Sequence, residues 1–194
     1  MRFDEYKSLI FSDLYRIGGK KNLLELLKLI FFTTSSTYKY NFWLRTCRYI
    51  KEQKYLKSVL LPLCHLVYKH YCYKYGIDIP YTTDIGKGFY IGHFGSVVIN
   101  ESVKIGNNCN ISNGVTIGQA NRGEKKGTAI IEDNVYIAPG AKIIGSVTIG
   151  SNAAIGANAV VTKDIPPFGV AVGIPAKVIS YEGSKGYINR TDYE

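Results

Sequence analysis

No run of apolar residues in this sequence approaches the roughly 18 to 20 needed to cross a bilayer, so a membrane-spanning helix is not expected. The four cysteines, Cys47, Cys64, Cys72 and Cys109, include no C-x-x-C pair. That spacing argues against a zinc ribbon or dithiol motif and for packed, free thiols in a reducing compartment. The opening MRFDEYKSLIFSD places Asp4 and Glu5 where an export signal needs a basic start and an apolar stretch, which makes a cytoplasmic protein the expectation. The Asn-x-Ser/Thr triplets at Asn110 and Asn189 then carry no meaning as glycosylation sites. Histidine is scarce too. Of His65, His70 and His93 only the last lies beyond residue 76, and His65 and His70 are five apart, off the spacing of a helical metal pair. No metal site is expected.

What the chain has in excess is positive charge, and it is unevenly placed. Residues 1–76 hold 14 of the 24 Lys and Arg but only 5 of the 15 Asp and Glu, together with ten of the sixteen tyrosines. Such a segment suits an anionic membrane surface or polymer, or is a solvated helical face. No recognition motif accompanies it, which disfavours nucleic acid. Within the segment, apolar residues recur at helical spacing, as in Leu23, Leu26, Leu27 and Ile30. Three or four helices are expected, broken at Gly18-Gly19 and at the Thr33–Thr37 run, which offers N-caps. The last spans about Leu56 to Tyr75 and is closed by Gly76.

After Gly76 the period changes to six. Aliphatic residues stand at Ile79, Ile85 and Ile91, at Ile99, Ile105, Ile111 and Ile117, and at Ile131, Ile137, Ile143, Ile149, Ile155 and Val161. Four residues later come small or β-branched side chains: Val103, Cys109, Val115, Val135, Ala141, Val147, Ala153 and Ala159. A period of six is neither helical nor that of a flat strand; it describes a solenoid of three flat faces, each strand pointing one aliphatic residue inward, with Gly and Asn at the corners. The expected organisation is a helical domain over 1–76, a β-helical domain over 77–165 and a cap and tail over 166–194.

The register breaks twice. Two extra residues fall within IGHFGSVV, where His93 sits, and eight extra fall at the protruding loop 119–128, QANRGEKKGT. Loops leaving a rigid scaffold are where chemistry tends to be placed.

The segments GIDIPYTTDIGKGFYIGHFGSVVIN, NCNISNGVTIG, APGAKIIGSVTIGSNAAIGANAVVTKDIPP and AVGIPAKVI resemble the serine acetyltransferase family of hexapeptide acyltransferases over residues 76–180. Within it the chain is more similar to the branch that O-acetylates sugars of capsular or other surface polysaccharides. The resemblance implies a left-handed parallel β-helix, a homotrimer or dimer of trimers, and acetyl-CoA as co-substrate with no tightly bound cofactor. It implies a catalytic pair of Asp78, in DIPY, and His93 fifteen residues later. An imidazole with its ordinary pKa of about 6.5 can take the proton of an attacking hydroxyl, and the carboxylate would hold its tautomer. It implies a CoA groove at Gly118, Ala138, Ala157, Gly173, Pro175 and Lys177.

The departures from the family bear on the acceptor. Gly92 stands where serine enzymes carry an Asp, Gly127 and Thr128 stand where they carry an Arg-His pair, and their PG-centred helical motif has no counterpart between Leu29 and Tyr40. These losses remove partners for an amino acid's carboxylate and ammonium. Asn121, Arg122, Lys125 and Lys126 offer contacts for a sugar or anionic glycan instead. The expectation is therefore an O-acetyltransferase of a surface polysaccharide or its precursor, with Gly92 and those loop residues at the acceptor and the basic helices at the inner membrane surface. The alternatives are serine O-acetyltransferase and a non-catalytic scaffold. A γ-type carbonic anhydrase, which needs three histidine ligands, is set aside.

Overall fold

The computed structural model describes residues 1–32 and 37–193, so Thr33 to Ser36 of the expected N-cap run lie outside the described residues. Helix α1 spans Phe3–Gly18; it starts where the Glu5 carboxylate accepts the Arg2 N–H at 2.8 Å and ends at Gly19, whose φ of 66° is left-handed. Asn22 caps the short α2, Leu23–Leu27, through a 2.9 Å bond from the Glu25 N–H, and the chain continues as a π-helical turn, Lys28–Phe32. α3 spans Tyr38–Lys51 and α4 Lys57–Tyr75, the latter closed by Gly76 as its sequence implies.

The chain then winds into a left-handed parallel β-helix. One face holds β1 (Ile77–Asp78), β4 (Val97–Ile99), β7 (Thr116–Gly118), β10 (Lys142–Ile144) and β13 (Val160–Val161); the second holds β2 (Asp84–Ile85), β5 (Lys104–Ile105), β8 (Ile130–Ile131) and β11 (Thr148–Ile149). The third holds β3 (Tyr90–Ile91), β6 (Asn110–Ile111), β9 (Tyr136–Ile137), β12 (Ala154–Ile155) and β14 (Val170–Val172). β14 pairs parallel with β12, so the coil runs on to Val172 rather than stopping near Ile165, and β15 (Lys177–Ser180) closes it antiparallel.

All thirteen aliphatic positions of the six-residue period are buried, as are the eight smaller ones. Thr83, Phe89 and Ala129 fill the second inward position where the sequence period is blank, and all three are buried. Asn108, Asn134, Asn152 and Asn158 turn corners with φ of 56° to 62°, where a short amide side chain tolerates the left-handed region.

The helices close the open end of the first coil. Arg45 of α3, buried, pairs with buried Asp13 of α1 (Nε to Oδ2, 3.0 Å) and donates to the carbonyls of Ile85 and Gly86, each at 2.6 Å. Asp13 also accepts the Phe89 N–H at 2.8 Å. Burial pushes the Asp13 carboxyl up, while the Arg45 charge and the Phe89 N–H pull it back. Asn41 donates to Phe89 O at 3.1 Å, Thr37 to Ile91 O at 2.7 Å, and Ser12 accepts the Gly88 N–H at 3.0 Å. The Tyr40 hydroxyl accepts the Ile79 N–H at 3.1 Å, and both it and Tyr68 donate to Ile79 O.

From Tyr181 the tail runs back along the coil towards α1. Ser184 donates to Asn134 O at 2.7 Å, Tyr187 stacks on Tyr136 at 4.3 Å between centroids, and Tyr193 donates to the Asn108 side chain at 2.6 Å. At α1 it meets Arg16, which donates to Asn189 O, and Ile17, whose carbonyl takes the Arg190 guanidinium.

Replacing Asp13 by Ala strands the Arg45 charge in the interior and is expected to lower unfolding free energy by about 3–5 kcal/mol. Urea unfolding followed by far-ultraviolet circular dichroism measures it; a loss below about 1 kcal/mol would show that the pair does not hold the cap.

Candidate active site

His93 and Asp78 are placed by the junction of cap and coil. Gly76, with φ of 62°, turns the chain out of α4 and directly into β1, and a Cβ there would lie 3.3 Å from the Ser96 backbone nitrogen. β1 pairs parallel with β4, setting Ile77 beside Val97 and Asp78 beside Val98, so Asp78 heads the outward row of the first face. His93 lies in the turn that delivers the chain to β4. Five residues, 92–96, link Ile91 to Val97 where the next coil uses three, 112–114, between Ile111 and Val115; these are the two extra residues of the sequence. Gly95 takes a φ of 114°, which any side chain would strain, and its carbonyl accepts the Gly114 N–H of the coil below at 2.8 Å. His93 and Asp78 are both exposed, on one edge of the first face, and make no hydrogen bond with each other among the described contacts. Behind the turn, Phe94 packs on Tyr75, with ring centroids 5.8 Å apart, and Tyr75 stacks on Tyr71. Burial pushes the Tyr68 hydroxyl up first of all, with the Asp78 carboxylate adding to the rise, so Tyr68 stays a donor to Ile79 O.

The corner that carries His93 continues down the coil. The Gly114 N–H to Gly95 O, Gly140 N–H to Asn113 O and Asn158 N–H to Pro139 O bonds set Gly95, Asn113 and Pro139 in line, and the strand register adds Ala157 and Gly173; His93 protrudes from the five-residue turn at the head of this corner, exposed like Asn113, Pro139, Ala157 and Gly173. Ala157 and Gly173 are thus brought onto the His93 corner, and the Gly173–Ala176 turn, with Pro175 in it, folds over β13 through the Val160 N–H to Gly173 O (3.0 Å) and the Ala176 N–H to Val160 O (2.8 Å). Lys177 follows at the start of β15, exposed. Gly92 and Ala138 sit one residue earlier in the same register, but Ala138 is buried. Gly118 stands apart, at the far end of β7 beside Ile144.

Loop 119–128 leaves that far corner, across a face from His93. Ala120 and Gly127 close it with a pair of 3.0 Å backbone bonds, and the Lys125 carbonyl accepts the Ser146 N–H at 2.8 Å. Lys125 Nζ lies 2.9 Å from Asp164, and Asn121 is bonded by the Gln119 amide at 2.9 Å. Two of the four polar loop residues expected at the acceptor are therefore occupied within the loop and its base. Arg122 and Lys126 extend outward. No single chain brings the loop to its own His93. His65 stands among the Tyr68 and Tyr81 rings at 5.9 and 5.7 Å, and His70 against Tyr71 at 5.2 Å, both away from the corner column.

Residues 128–163 match the bacterial transferase hexapeptide family of six repeats. Over 110 residues, 57% of this chain, the sequence is 43% identical to a serine acetyltransferase of Bacillus subtilis (strain 168), 51% of which is covered. The chain thus spans about half the length of the curated relatives it matches. Among solved structures it is similar to soybean serine acetyltransferase complexed with serine (TM-score 0.71, 28% identity, 91% of this chain and 70% of that one). A serine acetyltransferase of Neisseria gonorrhoeae in complex with serine gives a TM-score of 0.70 at 26% identity, over 92% and 70% of the two chains. These relatives correct the expectation of a polysaccharide acceptor: by sequence and by structure the similarity runs to serine acetyltransferases. The physical ground for that expectation also weakens, since Lys125 and Asn121 have internal partners and the loop does not face His93 of its own chain.

Lys125→Ala tests this assignment. The Lys125 ammonium, and then the Thr148 N–H, hold the Asp164 carboxyl below its ordinary range, so its contribution to stability is present at neutral pH and fades as acid protonates it. In the variant, carboxylate titration by NMR is expected to move Asp164 back up, with unfolding free energy changed by less than about 1 kcal/mol because the pair is exposed.

Proposed function

We propose that this chain, whose residues 128–163 match the hexapeptide transferase family, is an acetyl-CoA-dependent serine O-acetyltransferase whose general base is His93. The observation that carries the reading is the exposed corner: His93 protrudes at its head, and Asn113, Pro139, Ala157 and Gly173 follow below it, the edge along which this reading lays an extended pantetheine arm with its thioester at the histidine. The serine held by the soybean and gonococcal relatives supports the acceptor.

In this reading the His93 imidazole takes the proton of the serine hydroxyl as that oxygen attacks the thioester carbonyl. The tetrahedral intermediate collapses with cleavage of the C–S bond, and the imidazolium returns the proton to the departing CoA thiolate. Asp78, on the same edge, orients the ring and steadies its positive charge once substrate closes the gap between them. Lys177, exposed beside the Gly173–Ala176 turn, is the cation this reading assigns to the phosphates of CoA.

The serine carboxylate needs a cation, and Gly127 and Thr128 supply none. Arg122 and Lys126 are the loop cations whose side chains make no ion pair or hydrogen bond among the described contacts. They leave the opposite corner of the face, so the site closes when the loop of one copy lies against the His93 corner of the next, and three copies complete the ring. The reading thus includes a homotrimer.

Thiol release from acetyl-CoA with L-serine, measured against a panel of sugars and oligosaccharides, is expected to respond to serine alone. His93→Ala is expected to lower kcat by about 100- to 10,000-fold with the fold intact. A variant as active as the wild type would leave a binding scaffold as the remaining reading. Arg122→Ala with Lys126→Ala is expected to raise KM for serine about tenfold or more and to leave KM for acetyl-CoA nearly unchanged.

A further inference from the structure

The segment from Lys20 to Phe32 is apolar on both of its sides. Leu26 and Leu29 turn inward onto Ile10, Leu14 and Tyr38. On the other side Leu24 is 75%, Phe31 69% and Phe32 82% exposed, with Leu23 and Leu27 beside them. A helical segment apolar all round is ordinarily enclosed, and five large side chains of this kind in thirteen residues form a patch that water does not favour. Lysines flank it at Lys20, Lys21 and Lys28; Glu25, the one acidic residue of the segment, lies 3.7 Å from Lys20 and 4.0 Å from Lys28, and Lys21 donates to the Tyr193 carbonyl, which leaves the segment net positive.

A second observation lies beneath the patch. α2 does not seal against α1: a cleft of about 920 Å³ opens between them, walled by Phe3, Tyr6, Ile10, Phe11, Leu23 and Leu26, where Lys7, Lys21 and Lys87 outnumber Asp4 among the charged lining. An apolar slot with an ammonium at its rim accommodates an acyl chain whose headgroup is negative.

We propose that the Lys20–Phe32 segment is a membrane-surface anchor that lays Leu24, Phe31 and Phe32 into the headgroup boundary of an anionic bilayer, with Lys20, Lys21 and Lys28 on the lipid phosphates. Charge decides between a bilayer and a second copy of the chain. Two copies meeting through this patch bring like-charged lysine rims together, whereas an anionic leaflet attracts them. The described helices include none long and apolar enough to cross a membrane, so the contact is peripheral and salt-sensitive.

Co-sedimentation of the full chain with phosphatidylcholine vesicles, with and without phosphatidylglycerol, tests it. Binding is expected to phosphatidylglycerol-containing vesicles at low salt and to fall about tenfold or more in molar salt or on phosphatidylcholine alone. Phe31→Ser with Phe32→Ser is expected to lose it to the same degree, with circular dichroism and sedimentation mass unchanged. Leu63→Ser with Leu66→Ser, on the other exposed apolar helix face of α4, is expected to keep it. Failure of the wild type to bind anionic vesicles, binding undiminished in the Phe31/Phe32 variant, or loss only in the α4 variant overturns the proposal. So does a fall in sedimentation mass in the Phe31/Phe32 variant, which would make the patch an interface between copies.

Discussion

A parallel coil cannot end by itself. Every turn satisfies its backbone from the turn above and the turn below, and the first turn has nothing above it; buried peptide groups left unpaired there cost free energy of the same order as the hydrogen bonds they lack. In this chain the carbonyls of Ile79, Ile85, Gly86, Phe89 and Ile91 and the N–H groups of Ile79, Gly88 and Phe89 are met by side chains of α1, α3 and α4. The buried Asp13–Arg45 pair stands at the centre of that network, each partner held by the other and by the backbone it serves. A buried ion pair is seldom a source of net stability. Here it supplies hydrogen-bonding groups at a place where a coil needs them.

The same junction positions the residues of the proposed chemistry. The turn of coil that the helices satisfy is the one whose corner carries His93, and α4 passes through Gly76 straight into the strand that carries Asp78. The edge proposed for catalysis is therefore buttressed from behind by Tyr40, Tyr68, Tyr71 and Tyr75, while its outward surface stays open down the coil.

Much of this could be read in the sequence because a solenoid repeats its constraint: a single inward aliphatic column fixes the period, and thirteen residues report it independently. Thr83 and Phe89 escaped the period because the first coil packs on helices as well as on coil, and its inward positions accept side chains that later coils would not. The return of the tail carries no periodic signal, since its bonds are to groups scattered over the corners at Asn108 and Asn134 and the strand at Asn110. Asp78 and His93 stood out in the sequence as two residues fifteen apart, and the fold leaves both exposed on one edge of the first face. The acceptor was misjudged because the loop was read as free polar groups, and only a fold reveals that Lys125 is spoken for by Asp164, 39 residues on.

The returning tail changes how the molecule comes apart. A bare stack of repeats touches only its nearest neighbours, so it can fray from either end, coil by coil. Here Tyr187 leans on Tyr136, Tyr193 reaches Asn108, and Asn189 and Arg190 meet α1 through Arg16 and Ile17, so residues more than 170 positions apart share bonds. That link turns a one-dimensional array into a closed circuit: the last coil cannot loosen without pulling on α1, and the cap cannot lift without releasing the tail. The cost is a slow, non-local closure late in folding, and the return is a single cooperative unit in place of a ladder of partly melted states.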